Sequence, residues 1–197
     1  MRFKDLYNHV SSKTAPPIFF DTLADLVRTY HQGVGTVAVF AVTYPTPLRQ
    51  AHYRMVDMDR SSPYDEEYGD VEISYCEELD QHFREKRYAL TKELMHVFDT
   101  PGARVDSREK FVSLLKEIQN QPLPSHASEA FMSEMDTRWM AAIILCPKHL
   151  RDARVEAYRA GKIQDFDIAE EFKLPEWVVP FIMDDYYDRA FEELVGS

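Results

Sequence analysis

The sequence predicts an α+β protein in which a small mixed sheet packs on a bundle of helices. Residues 36–45 form a β-branched, apolar segment without a polar face, as expected for a buried strand. Residues 71–76 alternate apolar and polar side chains, as expected for a half-buried strand. Most segments outside these two place apolar residues at helical spacing. This order indicates a helix, then a small sheet, then a helix bundle.

Length and composition predict one compact domain with a small appendage. The chain has 197 residues, of which 45% are hydrophobic, so it can bury a core and is too apolar for a disordered chain. We expect an N-terminal arm over residues 1–15 and a main domain over residues 16–150. A C-terminal helical extension over residues 151–197 is expected to pack on that domain.

The charge of the chain narrows the classes of partner. A net charge of −11 argues against direct binding of nucleic acid, which needs a basic face. An acidic surface suits a basic protein partner, although such surfaces often serve only solubility.

Cys76 and Cys146 lack C-x-x-C spacing and are predicted to be reduced thiols. Without a signal-peptide pattern or a membrane-spanning run, we expect a soluble, cytoplasmic protein with no membrane contact.

The elements before the alternating strand are a helix, the apolar strand and a weaker strand. The helix is expected to start at an Asp21 cap and to end before Gly33. Its apolar residues at helical spacing are Leu23, Leu26, Val27 and Tyr30. Residues 51–59 alternate weakly, and residues 61–70 form an acidic segment rich in turn residues.

The elements after the alternating strand are helices. A long helix is expected from about residue 80 to residue 98, and the next helix begins at a cap formed by Asp106 or Ser107. Residues 129–146 form a strongly apolar helix, and residues 167–194 hold two or three short helices.

Residues 92–96 read KELMH, which differs by one letter from the H-E-x-x-H signature of zinc peptidases. In that signature, two histidines four residues apart share one helix face and bind one zinc ion. The glutamate after the first histidine activates the water that zinc binds. Here Lys92 stands in place of the first histidine, and it is followed by Glu93 and His96.

Three segments carry a further resemblance. EISYCEELDQHFREKRYALTKELMH spans 72–96, EMDTRWMAAIILCP spans 134–147, and DIAEEFKLPEWVV spans 167–179. Segment 72–96 resembles the strand that leads to AHELGH in the ImmA/IrrE family of zinc metallopeptidases. In the same order, segment 134–147 resembles the family's E-x-x-A-N-x-F-A-A-x-L-L-M-P segment, and segment 167–179 resembles its D-I-A-x-x-F-x-V-S segment. The resemblance implies a zincin-like fold over roughly residues 70 to 180.

The resemblance also implies roles for individual residues. Glu93 matches the general base, His96 matches the second zinc ligand, and Glu134 matches the third ligand. Lys92 falls on the position of the first ligand. An ammonium has no lone pair to give to a metal, and to act as a ligand Lys92 would have to lose a proton against an ordinary pKa of about 10.4. The two remaining protein ligands are fewer than the three that catalytic zinc sites use. The surroundings of the third ligand differ too, because Arg138 stands where the family has asparagine.

We therefore expect no cofactor and hypothesise that Lys92 replaces the metal electrostatically. In this hypothesis the ammonium pairs with Glu134 or Glu93, because a buried carboxylate without a cation is costly. His96 and Glu134 are then vestigial metal ligands, and Glu93 is a base position without activity.

Three functions remain open. The first is an inactive metallopeptidase-like protein that acts as a protein-binding or regulatory module, with a partner such as a separate helix-turn-helix repressor. The second is an active zinc metallopeptidase with an atypical metal site that cleaves a transcriptional repressor. The third is a structural or interaction protein of a phage or mobile element. In that last case 92–96 belongs to an ordinary amphipathic helix, with Leu94, Val97 and Phe98 facing the core.

Overall fold

A computed structural model describes residues 1–13, 15–43, 50–59, 68–105, 107–120 and 124–196. Within them the chain is α+β, as predicted, with one three-stranded mixed sheet and nine α-helices. The strands are β1 (Val34–Val42), β2 (Ala51–Asp59) and β3 (Tyr68–Cys76). The helices are α1 (Phe3–Lys13), α2 (Phe20–Tyr30), α3 (Phe83–Met95), α4 (Arg108–Asn120), α5 (Glu129–Leu145), α6 (Lys148–Arg159), α7 (Asp165–Phe172), α8 (Val179–Met183) and α9 (Tyr186–Phe191). Short 3-10 turns cover Glu77–Gln81, His96–Phe98, Pro124–His126 and Glu176–Val178, and a π-helical turn covers Glu192–Gly196.

Strand β3 lies at the centre of the sheet, with β1 parallel to it on one side and β2 antiparallel to it on the other. Val71, Ile73 and Tyr75 are buried, and the residues between them are half-buried, so the predicted alternation is confirmed. The strand starts earlier than predicted and includes the last three residues of the acidic segment expected at 61–70. The rest of that segment lies outside the described residues.

Strand β1 is not the buried strand that its apolar sequence predicts. Among the described residues it pairs only with β3, so it is an edge strand. Val39 is 37% exposed and Phe40 is 48% exposed. An apolar run predicts a strand but cannot distinguish a central position from an edge, because that depends on which strands become its neighbours.

Helices α3 and α5 pack against each other, and the sheet lies beside α3, as predicted. The Tyr88 hydroxyl on α3 donates a hydrogen bond to the carbonyl oxygen of Arg138 on α5, at 3.2 Å. The Lys86 ammonium on α3 donates to the hydroxyl oxygen of Tyr75 on β3, at 2.8 Å. These contacts place segment 72–96 beside segment 134–147.

The long helix expected over residues 80–98 is shorter in the structure. A 3-10 turn precedes α3, and His96 begins a second 3-10 turn directly after its last residue. The backbone N–H of His96 bonds to the carbonyl oxygens of Glu93 and Leu94. Such shared bonds tighten the last turn of a helix. His96 therefore lies at the tightened end of the helix.

One of the two predicted helix caps is confirmed. Asp21 is not the cap of α2, because Phe19 holds that position without a side-chain hydrogen bond, and Asp21 lies in the first turn. A carboxylate there still interacts favourably with the positive end of the helix dipole. The Ser107 hydroxyl accepts a hydrogen bond from the N–H of Lys110 at the start of α4, at 3.2 Å. The alternative cap, Asp106, lies outside the described residues.

One hydrophobic core connects the segments predicted as arm, main domain and extension. In the predicted arm, Leu6 and Val10 of α1 are buried in this core. In the predicted extension, α7, α8 and α9 are the short helices expected there, and Phe172 and Tyr187 are fully buried. None of the helices in the described residues is both long and apolar enough to cross a membrane.

Candidate functional site

A group of charged side chains fills the space between α3, α5 and the turn after α3. It consists of Lys92, Glu93, His96, Asp99 and Glu134, here called the Lys92 cluster. Each of these side chains is only 8% to 14% exposed. The structure therefore brings together all four residues that the sequence selects, and it adds Asp99.

Lys92 lies between two carboxylates. Its ammonium nitrogen donates to Oε2 of Glu134 at 2.6 Å and to Oε1 of Glu93 at 3.1 Å. Burial by itself would lower the pKa of Lys92, but the charges of Glu93 and Glu134 outweigh it and raise this pKa. The side chain is therefore a permanent cation, and the ion pair expected with Glu134 or Glu93 is formed with both.

His96 directs its two ring nitrogens to different carboxylates. Its Nδ1 lies 2.7 Å from Oδ2 of Asp99, and its Nε2 lies 3.7 Å from Oε2 of Glu134. Burial would lower the pKa of His96, but the hydrogen bond with Asp99 and the nearby carboxylate of Glu134 outweigh it and raise this pKa to about 9. The imidazole is therefore a second cation of the cluster at neutral pH.

Glu134 is the carboxylate shared by the cations. It accepts hydrogen bonds from Lys92 and, at 3.1 Å, from Nη2 of Arg138 one helical turn later on α5, and Nε2 of His96 lies 3.7 Å away. Burial would raise the pKa of Glu134, but the nearby ring of His96 and the charge of Lys92 lower it far below its ordinary value. Arg138 is the residue that replaces the family's asparagine, so it adds a cation at the rim of the cluster.

Two further residues connect the cluster to its surroundings. The backbone N–H of Tyr53 on β2 donates to Oε2 of Glu93 at 2.9 Å, and the Tyr53 ring lies against His96 with ring centres 5.6 Å apart. The Ser133 hydroxyl donates to Oδ1 of Asp99 at 2.6 Å. Glu93 therefore ties the sheet to α3, while Asp99 ties the turn after α3 to α5.

Sequence reasoning missed Tyr53, Asp99 and Ser133. Asp99 follows His96 by three residues, so the spacing of a ring nitrogen and its carboxylate partner was a usable signal. Tyr53 carries no comparable signal, because its backbone N–H comes from a strand 40 residues before Glu93. Local periodicity contains no information on such a contact.

Together with Arg138, the cluster is balanced in charge. Its three carboxylates, from Glu93, Asp99 and Glu134, face the ammonium of Lys92 and the protonated ring of His96. The guanidinium of Arg138 at the rim supplies a third positive charge. A buried carboxylate needs a cation or a proton, and here protein side chains supply the cations.

Zinc, which the family resemblance implies, does not fit these residues as they are arranged. The Lys92 ammonium lies within hydrogen-bond distance of both glutamates and would repel a divalent cation. Among the described residues, no group of three or more His, Cys, Asp or Glu side chains is placed to hold a metal ion. A catalytic zinc site needs three such ligands and one open position.

The arrangement also limits what Glu93 can do as a base. Its Oε1 accepts from the Lys92 ammonium and its Oε2 accepts from the Tyr53 N–H. A general base needs an oxygen within reach of the proton that it removes. Here both oxygens already accept hydrogen bonds, one from Lys92 of the same helix and one from Tyr53 on β2.

Comparison of the chain with protein-family models, with curated proteins and with solved structures finds no match. The resemblance to the ImmA/IrrE family therefore stays a prediction from the sequence motifs. The functional argument depends on the geometry of the Lys92 cluster.

Proposed function

We propose that this chain is an inactive metallopeptidase-like protein of the ImmA/IrrE type that acts as a protein-binding or regulatory module. The observation that supports the proposal is the position of Lys92. Its ammonium contacts Glu134 and Glu93 at 2.6 Å and 3.1 Å, and the Nε2 atom of His96 lies 3.7 Å from the same Glu134 oxygen. These are the residues that match the third ligand, the base and the second ligand of a zincin.

The orientation of His96 is a further argument for this origin. In metal sites a histidine commonly gives one ring nitrogen to a carboxylate and the other to the metal. His96 has this arrangement, with Nδ1 at Asp99 and Nε2 directed toward the glutamates. The lysine then serves as a covalently attached cation in place of the metal.

A protein is the class of partner that this proposal favours. Peptidases bind polypeptide, and a net charge of −11 disfavours nucleic acid and anionic membranes. The family resemblance adds a separate helix-turn-helix repressor as the specific expectation.

Metal content and peptidase activity test the proposal directly. We expect the purified chain to hold well below one zinc per chain after dialysis against a weak chelator, and to cleave no protein substrate. Lys92→His should bind zinc at least about tenfold more tightly than the native chain, because a third ligand completes the site.

Lys116→His is the matched control, since Lys116 is an exposed lysine of α4. This variant should bind zinc no better than the native chain does. One tightly held zinc per native chain, or zinc-dependent cleavage by it, would favour the active peptidase with an atypical site instead.

A further inference from the structure

Three of the exposed aromatic side chains on the C-terminal helices are Phe166 on α7, Trp177 on the turn before α8, and Phe181 on α8. They are 56%, 61% and 37% exposed. We call them the aromatic strip. Trp177 and Phe181 are four residues apart, which places them on one side of the turn and helix that carry them.

Each residue of the strip contacts α3 or α5. The Phe166 ring lies 5.5 Å from the guanidinium carbon of Arg84, and Trp177 meets the edge of Tyr88 with ring centres 5.3 Å apart. Phe181 stacks on Trp139 with ring centres 3.7 Å apart and planes 24° apart. The strip is thus held in place on the two helices that carry the Lys92 cluster.

The strip continues toward the Lys92 cluster along one face of α3. Arg84, Tyr88 and Lys92 are four residues apart, so their side chains share that face. Tyr88 also bonds to the backbone of Arg138, whose guanidinium pairs with Glu134. Phe166 and Trp177 therefore contact the same face of α3 that carries Lys92, at Arg84 and Tyr88.

The surroundings of the strip are acidic. Residues 165–193 contain ten Asp or Glu and two Lys or Arg. Glu171, Asp185 and Asp188 pair with cations of α6, whereas the carboxylates beside Phe166 and Trp177 in the sequence are Asp165, Asp167 and Glu176. Glu176, next to Trp177, is exposed. The nearby cations Arg84 and Arg138 already pair with Glu170 and Glu134. A basic partner is therefore attracted to this surface, and anionic partners are repelled.

The combination of aromatic faces and carboxylates suits arginine in particular. A guanidinium stacks on the face of Trp or Phe and forms paired hydrogen bonds to a carboxylate at its edge, whereas an ammonium interacts as a point charge. Tryptophan and arginine are also the side chains most enriched among the residues that dominate binding energy at protein interfaces.

We propose that the aromatic strip binds an arginine-bearing, basic segment of a partner protein. A guanidinium group stacks on Trp177 and donates to Glu176, and the exposed Phe166 ring, which Arg84 already contacts, packs against the aliphatic part of the partner's side chains. The inference rests on the proposed function only in requiring that the partner is a protein. It does not depend on whether Lys92 took the place of a metal.

A titration of the full chain with a capped hexaarginine peptide tests the strip, with a capped hexalysine peptide as the probe of equal charge. The two indole N–H signals in NMR spectra distinguish Trp177 from the partly buried Trp139. We expect hexaarginine to shift the Trp177 signal and to bind at least about threefold more tightly than hexalysine. Trp177→Ala and Phe166→Ala should each weaken hexaarginine binding at least about fivefold, and Trp177→Phe should retain most of it.

Phe40→Ala is the matched control, because Phe40 is an exposed aromatic residue on β1, away from the acidic C-terminal segment. It should leave hexaarginine binding unchanged, and thermal unfolding identifies which variants are folded. Equal binding of the two peptides, or equal loss in Trp177→Ala and Phe40→Ala, would overturn the proposal. These results are separate from the zinc content of the native chain, so failure of the strip is distinguishable from failure of the proposed function.

Discussion

Lys92 joins two elements by holding one carboxylate from its own helix and one from α5. All three charged groups are largely buried, so their free energies depend on one another. A buried ion pair need not add net stability compared with apolar residues of the same shape. Removing one member is different, because it leaves a charge without its counterion.

We expect Lys92→Met to lower the free energy of unfolding by about 3–5 kcal/mol, because Glu93 and Glu134 lose their shared cation. The double variant with Glu134→Gln should recover part of this loss, since it removes one unpaired charge. Urea unfolding of both variants measures the effect. The exposed Lys116→Met is the control and should change stability by less than about 0.5 kcal/mol. A loss below about 1 kcal/mol in Lys92→Met would show that its ion pairs do not hold the helices together.

The shifted pKa values of His96 and Glu134 predict how the stability of the chain changes with pH. The pKa of His96 is raised from 6.5 to about 9, so its contribution is complete below pH 6.5 and disappears as the pH rises through about 9. The pKa of Glu134 is lowered from 4.5, so its contribution is complete above pH 4.5 and is lost in more acidic solution. Both contributions are complete together between about pH 4.5 and 6.5.

Replacing His96 removes one side of this pH profile. From pH 6 to pH 9.5 the native chain should lose roughly 3 kcal/mol more stability than His96→Gln, from the conversion of about 1.4 kcal/mol per pKa unit. Chemical unfolding at the two pH values provides the measurement. His149→Gln, at an exposed histidine of α6, should keep the native dependence. Parallel profiles for the native chain and His96→Gln would contradict the raised pKa.

At the scale of elements, β1 is the least protected strand. Its nine residues contain no charge and no proline, and Val39 and Phe40 are exposed. Natural sheets usually protect edge strands with charges, prolines or bulges, because the free edge can pair with another chain. The bulge between Val34 and Val37 lies at the start of the strand and leaves the apolar end unprotected.

A charge on this strand should reduce self-association. Phe40→Lys places an ammonium at the exposed edge, and we expect the onset temperature of aggregation, followed by light scattering, to rise by several degrees. The stability of the monomer should change by less than about 1 kcal/mol.

Val112→Lys on α4 is the matched control for Phe40→Lys, because it also replaces an exposed apolar residue and adds one positive charge. It should leave the onset temperature nearly unchanged. Equal effects of the two substitutions would show that β1 has no special tendency to associate.

At the scale of the whole molecule, Arg87 connects distant parts of the chain. Its buried guanidinium donates to the carbonyl oxygens of Ile18 at 2.8 Å, Phe172 at 2.9 Å and Lys173 at 2.5 Å. These acceptors lie before α2 and at the end of α7, so one side chain of α3 joins the N-terminal and C-terminal parts to the centre. Burial lowers the pKa of Arg87 to about 10, which still leaves it charged at neutral pH.

Removal of this guanidinium should weaken the whole fold. Arg87→Met keeps much of the side-chain volume but leaves three carbonyl oxygens without their donor, which costs about 2–4 kcal/mol of unfolding free energy. Because the described residues share one core, we expect a single unfolding transition at lower urea concentration. Arg28→Met removes only a surface ion pair with Asp25 and should change stability by less than about 0.5 kcal/mol. A separate early transition in Arg87→Met would contradict the shared core.

Much of this architecture can be predicted from local sequence. The alternation of Val71, Ile73 and Tyr75 predicts β3, because side chains of a strand alternate between faces. Helical spacing predicts α2, α3, α4 and α5, and the spacing of Lys92 and His96 places them near one another. The sequence motifs also select Glu134, which lies 42 residues after Lys92 and meets it in the structure.

The sequence by itself therefore determined the α+β class, while the resemblance of its motifs to a known family supplied the packing of α3 against α5 and the choice of Lys92, Glu93, His96 and Glu134. Only the tertiary structure decided that β1 is an exposed edge, that α1 joins the core, and that Tyr53 and Ser133 complete the cluster. The physical reason is the range of the interactions. Periodicity and caps report what a residue does within a few positions, whereas edges, core contacts and buried ion pairs depend on elements that meet only when the chain folds.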